Sequence, residues 1–374
     1  MNKPLLEATA TLTGITIGAG ILGIPYVVAQ SGLFIGLMHL IILGIFILIL
    51  NLYVGEIALR TKGTHELTGY ASLYLGRYGK KTMTIILIIG IYGALIAYLI
   101  GEGQALAAIF NYPNDNIFTI LFFIIVSPII FFGLKIFEKA ELAIGVGVLS
   151  LIFVLVLLLF PYMQSSHLTT ISPQKAFIPY GVILFAFLGA TAIPEMKEEL
   201  RKNKKQLKKA IIIGSLIPLI VYLLFTIIII GVTGESTTEI ATIGLGFALG
   251  KNMLLLGNIF AVLTMTSAFL GLGLALKWMY IYDYKINNTF AFLLTCFIPL
   301  FIALLGITTF IKTLALTGVF AGGIQGLLLI LIYRRAKKLG KRKPEYALNL
   351  PKYVDYSIMA LFLLGLFYTL AMML

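Results

Sequence analysis

Very little in this 374-residue chain is equipped for covalent or metal chemistry. Cys296 is its only cysteine, so no intrachain disulfide can form and nothing points to an oxidised domain. The three histidines, His39, His65 and His167, are too dispersed for metal-ligand spacing. No GxxxxGK[ST] loop is present to cradle a nucleotide phosphate, which argues against ATP-driven work. An enzyme is therefore not expected. Charge is scarce too: 11% of residues are Asp, Glu, Lys or Arg, against about 25% in soluble domains.

What fills the chain instead is apolar, at 60% hydrophobic residues and a mean hydropathy of +1.03. Runs of about 20 apolar residues recur from end to end, the mark of a polytopic α-helical membrane protein. Eleven spans are expected, at 5–31, 33–59, 82–110, 117–134, 140–162, 177–199, 209–232, 253–282, 288–306, 308–333 and 353–373. The first is too long and too rich in Gly and Thr for a cleaved leader, and is read as retained. Between spans 2 and 3, the pattern LTGYASLYLG suggests a short interfacial helix, and residues 235–250 suggest a lid helix.

The net charge of +13 does not indicate nucleic acid, because the basic residues are concentrated on one side. With an internal N-terminus, only Lys175, Lys251 and Lys312 of the 28 Lys and Arg fall outside. That asymmetry follows the positive-inside rule and predicts a plasma-membrane protein with a cytoplasmic N-terminus and an extracellular C-terminus. The basic runs 201–209 and 334–343 are topology signals first, and attraction to anionic lipid is secondary. A monomer is the default, the sequence being silent on assembly.

The stretch 14–25, GITIGAGILGIP, organises the rest. Gly14, Gly18, Gly20 and Gly23 each lower helix propensity by about 1 kcal/mol relative to Ala, and Pro25 withholds a backbone donor. Span 6 repeats the device, with Gly189, Ala190 and Thr191 at mid-depth and Pro194 just after. Five spans separate the two, so they run in opposite directions. Interrupted helices in matching places of two inverted halves point to a transporter's binding site. The expected plan is a single transmembrane domain over 1–374, with repeat one at 5–162, repeat two at 177–333 and an added helix at 353–373. Gly14 and Gly18 also form a GxxxG pair, a common packing device in lipid. Either cluster alone could be packing; the pair in repeat register argues for function. A channel or structural subunit would require neither.

The residues IGAGILGIPY (17–26) and FAFLGATAIPE (185–195) resemble the amino acid/auxin permease family and the related bacterial aromatic amino acid permeases. The span 1 motif is shared across the wider amino acid–polyamine–organocation superfamily. The resemblance implies a leucine-transporter-type fold, five plus five inverted spans with one extra, helices 1 and 6 discontinuous. It also implies secondary transport of amino acids by alternating access. Independently, half-helix amides at Gly18, Ala19, Gly20, Ile21, Leu22 and Gly23 suit a carboxylate. Freed carbonyls around 14–18 and 185–189 suit an ammonium or a small cation.

Thr266 and Ser267 in span 8 resemble the hydroxyl pair of sodium-coupled members of that fold. With carbonyls of Gly14, Ile17 and Leu263 they would give five oxygens, a donor set suited to a hard cation. The alternative is that these hydroxyls back-bond within their own helix. No lysine lies mid-span 5, where some proton-coupled relatives place an amine, so sodium is favoured over the proton. Proton coupling stays open through Glu102, which lies in span 3 between Gly101 and Gly103. Glu56 and Glu195 are expected to pair near cytoplasmic ends, and His39 to be a satisfied helix residue. Tyr92, Tyr98, Phe185, Phe187 and Phe269 are candidate pocket walls, although aromatics at helical spacing are often packing. Ala190 follows the span 6 glycine where relatives carry an aromatic, leaving room for a large neutral side chain, aromatic or branched. No cofactor is expected beyond Na+ or H+ as coupling ion. The partners are an amino acid and lipid.

Overall fold

The computed structural model describes residues 3–133 and 135–373, with side chains described except at 135–144 and 373. It is helical throughout, and no strand occurs among the described residues. In chain order the helices are α1 (Lys3–Thr16), α2 (Gly20–Ser31), α3 (Leu33–Arg60), α4 (Leu67–Phe110), α5 (Asp115–Phe132), α6 (Lys135–Leu159), α7 (Ile178–Ala186) and α8 (Ile193–Glu199). They continue as α9 (Leu207–Thr233), α10 (Ala241–Leu249), α11 (Lys251–Tyr282), α12 (Asn288–Leu304), α13 (Phe310–Thr317), α14 (Ile324–Leu339) and α15 (Lys352–Met373).

Among the described residues nine spans are long and apolar enough to cross a membrane, and the pair α1 and α2, bent by 53°, makes a tenth. The expected ninth span is α12, an apolar helix of 17 residues. At 1.5 Å per residue it reaches about 26 Å, just short of a hydrocarbon core of about 30 Å. The protein is therefore a multi-pass membrane protein, with up to ten spans by length and composition among the described residues, and α12, in the place of the expected ninth span, is the one that falls short.

Two expected surface helices are present in altered form. LTGYASLYLG is the first part of α4, set off by Gly76, whose φ of +75° breaks the helix before the membrane-crossing part begins. A left-handed φ at this corner is open to glycine at little cost. The helix expected at 235–250 is α10, anchored through Thr242, whose hydroxyl donates to Asn258 at 2.9 Å on α11. Beside it the Ile311 amide, at the start of α13, donates to Glu239 at 3.3 Å.

The end of the bundle bearing the basic runs is tied by a strap, residues 340–351. Glu56 is fully buried and anchors it. One carboxylate oxygen accepts from Arg60 at 2.8 Å, and the other accepts from the Leu348 amide at 2.6 Å and from Tyr333 at 3.3 Å. Tyr333 in turn stacks on Tyr53 with ring centroids 3.8 Å apart, and Tyr53 donates to Asp355 at 2.6 Å, the partner of Arg334. Arg342 donates to the Leu59 carbonyl at 2.7 Å and pairs with Glu345. α3, α14 and α15 are thus fastened through two carboxylates, Glu56 and Asp355. Glu56→Gln leaves Arg60 without its anion, and breaking such a pair costs about 3 kcal/mol, less where the partner is partly exposed as here. A fall of several degrees in Tm in detergent is expected; an unchanged Tm would remove Glu56 from this role.

Candidate functional site

Both glycine-rich stretches are breaks. In the first, α1 stops at Thr16, and the Gly18 amide turns back to the Thr16 carbonyl at 3.1 Å instead of reaching Gly14 four residues away. The Ile21 and Leu22 amides then bond three residues back, to Gly18 and Ala19, before α2 settles. In the second, α7 stops at Ala186, and a turn through Phe187 to Gly189 leads by a short 3-10 segment, 190–192, into α8.

The two breaks touch each other reciprocally. A Cβ on Gly20, which opens α2, would lie 2.5 Å from the Cβ of Ala186, which closes α7. A Cβ on Gly189, just before the second half of span 6, would meet the hydroxyl of Thr16, which closes α1. The carbonyl end of each first half therefore abuts the amide end of the other rod's second half. This is the contact pattern of a two-fold axis in the membrane plane, and glycine is what lets the backbones approach. α13 closes in from the side: a Cβ on Gly181 would lie 2.5 Å from the Ala315 carbonyl oxygen, and one on Gly318, just past α13, would strike the Gly181 carbonyl.

Tyr222, midway along α9, seals the crossing. Its hydroxyl lies 2.7 Å from the Thr16 carbonyl and 2.9 Å from the Ala186 carbonyl, the last residues of both first halves. Its ring packs on Phe187 with centroids 5.3 Å apart. Nothing had singled out Tyr222, yet a signal existed. It is a lone tyrosine in the middle of an apolar span, and a buried phenol needs a partner for its O–H.

The other expected residues fall into three groups. Gly18, Ala19, Gly20, Ile21, Leu22, Gly23, Phe185, Phe187, Gly189 and Ala190 are buried at or beside the crossing, whereas Thr191 and Gly14 are exposed. Gly18 faces two neighbours at once, Tyr98 Oη at 3.2 Å and Ala268 Cβ at 3.7 Å from where its Cβ would be. That brings the span 1 break against α4 and against the α11 segment carrying Thr266 and Ser267. Tyr92 and Phe269 are committed elsewhere. The Tyr92 hydroxyl pairs with Tyr280 at 2.8 Å and donates to the Leu294 carbonyl at 3.1 Å, and Phe269 packs edge-on to Phe122 at 5.4 Å.

One of the cation candidates, Thr266, and the proton candidate, Glu102, are hydrogen-bonded to each other. Thr266 donates its hydroxyl to Glu102 Oε1 at 2.8 Å, across 164 residues of sequence. Glu102 is fully buried, and its second oxygen has no hydrogen-bond partner. Ile17 is buried, and Leu263 directs an exposed side chain off α11. Ser267 is part-buried. Thr264, by contrast, back-bonds to the Phe260 carbonyl at 2.8 Å. Among the described residues no group of three or more His, Cys, Asp or Glu could hold a metal ion. His39 is satisfied within its own helix by the Ile35 carbonyl at 3.0 Å.

A narrow cleft opens next to the span 6 break, lined among others by Asn51, Phe187, Ala190, Gln325 and Leu329. At the crossing itself the rods are in contact. The expected roomy pocket is thus a tight seam here. The halves α2 and α7 are enclosed by protein along Gly20–Pro25 and Pro179–Ala186. On the basic-end halves, Gly14, Thr191 and Glu195 are exposed.

Paired discontinuous helices crossing head to tail at mid-bundle define a class of all-helical membrane transporters built on inverted repeats. The fold matches Mhp1, a nucleobase-cation-symport-1 family transporter in a closed conformation with bromovinylhydantoin bound. The TM-score is 0.65 at 12% identity, covering 98% of this chain and 90% of that one. The chain belongs to the tryptophan/tyrosine permease family, whose model matches residues 1–371. The resemblance to the wider superfamily stands, while the amino acid/auxin permease family gives way to this one. Two bacterial relatives are similar over most of their length. Glutamine transporter 2 of Aliivibrio fischeri is 24% identical over 332 residues, 85% of this chain and 86% of its own. Tyrosine-specific transport system 1 of Haemophilus influenzae is 27% identical over 294 residues, 74% and 72%. Both are named as transporters, not enzymes.

Proposed function

We propose that this protein is a cation-coupled secondary transporter of neutral amino acids. The observation that carries the reading is the reciprocal crossing of the two breaks. It places peptide carbonyls of Thr16 and Ala186 and the amide ends of two half-helices within one small volume. An amino acid carries an ammonium and a carboxylate on one carbon, and these two kinds of helix end complement both. The relatives' names, tyrosine and glutamine, share that zwitterionic head and a net charge of zero. The residues around the crossing are apolar or small, which fits a neutral side chain, aromatic or branched aliphatic. The enclosed α2 and α7 and the exposed Gly14 and Thr191 fit an alternating-access state closed at the end away from the basic loops. With those loops cytoplasmic, that closed end is the extracellular one.

Glu102 is the coupling group in this reading. An uncompensated carboxylate at such depth is costly, so it calls for a proton or a cation beside it. Thr266 supplies one hydroxyl and no charge. A sodium-coupled version has its own support. The Gly14 carbonyl is left without the Gly18 amide, and the Gly18–Ala268 contact brings the break to the α11 segment that carries Ser267. With Thr266, Ser267 and Glu102, these oxygens would suit a hard cation.

The test is uptake into proteoliposomes under separately imposed sodium and proton gradients, preceded by a thermal-shift screen of the twenty amino acids. A ligand that binds the native state stabilises it by mass action, by about 2.7 kcal/mol at one hundred times its Kd, and so raises Tm. One or more neutral amino acids are expected to stabilise the protein and to accumulate only when a gradient is present. Uptake that ignores both gradients would make it an exchanger or facilitator.

A further inference from the structure

The oxygen count around Tyr222 does not balance. Three oxygens converge, the Thr16 carbonyl, the Ala186 carbonyl and the phenol itself, at 2.7 and 2.9 Å from Tyr222 Oη. The phenol owns one hydrogen. It can donate to one carbonyl at a time, leaving the other oxygen pair in close contact with no proton between them. The Gly18 amide reaches Thr16 as well, at 3.1 Å, whereas among the described residues the phenol is the donor that reaches Ala186. All of this is buried: Tyr222 is fully enclosed, and Ala186 is only 2% exposed. With the phenol on Ala186 and the Gly18 amide on Thr16, each carbonyl keeps a partner. The 2.7 Å contact between the phenol and the Thr16 oxygen is then left without a proton, and further N–H donors would relieve it. The group that best supplies them is a primary ammonium, with three N–H donors and a positive charge, at the negative ends of two half-helices.

We propose that Tyr222 is a specificity-determining residue of the substrate site, its hydroxyl acting as the third oxygen, with Thr16 and Ala186, of a subsite for the primary ammonium group. This rests on the amino acid reading above and adds to it a side chain from α9, outside both broken helices. The phenol is placed by sequence-distant packing. Its ring leans on Phe187, in the turn of the span 6 break. When the ammonium binds, the phenol rotates its hydrogen away and accepts, and all three oxygens then face N–H donors. When the site empties, the phenol donates again and draws the two carbonyl ends together. The residue therefore reads the substrate's nitrogen and closes the seam between the rods.

The proposal predicts a ranking on the unaltered protein. For the best-stabilising amino acid of the thermal screen, the N-methyl, N,N-dimethyl and N,N,N-trimethyl derivatives lose donors stepwise, and affinity should fall at each step. The des-amino acid should bind at least a hundredfold more weakly. In Tyr222→Phe, which keeps the ring against Phe187, the parent amino acid should bind about tenfold to a hundredfold more weakly, the scale of one hydrogen bond to a charged group. The ratio between parent and des-amino acid should shrink by the same factor. A purely structural tyrosine would weaken both ligands equally and leave the ratio alone, and that result overturns the proposal. If Tyr222→Phe does not fold, a flat methylation series in the natural protein overturns it equally. Failure of the amino acid reading looks different, because then no amino acid stabilises the natural protein at all.

Discussion

Replacing Gly20 with valine is expected to abolish transport while the protein still inserts and folds. The reason is local and steric. A single methyl at this position would come within 2.5 Å of the Ala186 Cβ and 2.7 Å of its Cα. The second contact is to backbone, so no rotamer change relieves it, and α2 and α7 must separate. Overpacking of this kind costs about 1–3 kcal/mol in stability, which a bundle of this size can absorb. Its effect on function is larger, because the displaced atoms are the half-helix ends that the proposed site uses. A shift of about 1 Å is enough to cost about two orders of magnitude at a preorganised site. Gly20→Ala should be intermediate, with uptake reduced several-fold to tenfold. Gly147→Ala on α6 is the control, since a Cβ there meets nothing within 4 Å. It should keep full transport and, on helix propensity, gain rather than lose stability. Uptake in proteoliposomes, normalised to protein that elutes as a single species, measures all three. Gly20→Val transporting within threefold of the natural protein would mean that the crossing is not where substrate passes.

How much of this was legible in the chain beforehand depends on the range of the interaction. The breaks were legible, because helix propensity is local: four glycines before Pro25, and Gly189 before Pro194, announce themselves within a dozen residues. Span positions were legible for the same reason. α12 shows the limit, since an apolar run announces a helix without fixing whether it reaches across the whole membrane. Partners at long range were not legible. Thr266 was read with Ser267 as a hydroxyl pair facing span 1, but its hydrogen bond goes to Glu102 on α4. Both residues had been singled out, yet nothing in their spacing says that two helices 164 residues apart share a face. The aromatics make the point in reverse. Tyr92 and Phe269 were chosen by residue type, whereas their ring and hydroxyl contacts are with Tyr280 and Phe122. Tyr222 carried a weak signal, its isolation in an apolar span. The identity of its two acceptors, one on each broken helix, exists only once the repeats have interlocked. The basic run 334–343 was read for topology first and for anionic lipid second. Its role as part of a strap depends on Glu56, which lies nearly three hundred residues from the Leu348 amide it holds.

Glu102→Gln is the other substitution with a large expected effect, and it should separate binding from driving force. The carboxyl is brought to its place by the glycines on either side. A Cβ on Gly101 would lie 2.5 Å from Met265 Sδ on α11, and one on Gly103 would strike Thr119 on α5, so α4 can press against both neighbours only because these side chains are missing. The result is a fully buried acid with one oxygen on Thr266 and the other unpartnered. Glutamine has the same shape, and its amide oxygen can still accept from Thr266, so the fold and the substrate site should survive. What it cannot do is take up and release a proton or balance a cation. A single cation moving with a neutral amino acid gains about 1.4 kcal/mol per pH unit if it is a proton. The membrane potential adds about 2.3 kcal/mol per 100 mV for either ion. Together these correspond to several-hundredfold accumulation in the natural protein. Glu102→Gln should bring this down to equilibration, a ratio near one, while thermal shifts by the same amino acid persist. Thr266→Ala, which removes a positioning hydroxyl and not the acid, should lower the rate about tenfold and displace its pH dependence without abolishing accumulation. The pattern across ions then decides the coupling. Loss of proton-driven uptake in Glu102→Gln, with Ser267→Ala unaffected, assigns the proton to this carboxyl. A sharply raised sodium requirement in Ser267→Ala, with proton gradients inert throughout, assigns the site to sodium and makes Glu102 one of its ligands. Undiminished accumulation in Glu102→Gln under either gradient would remove this acid from the coupling machinery altogether.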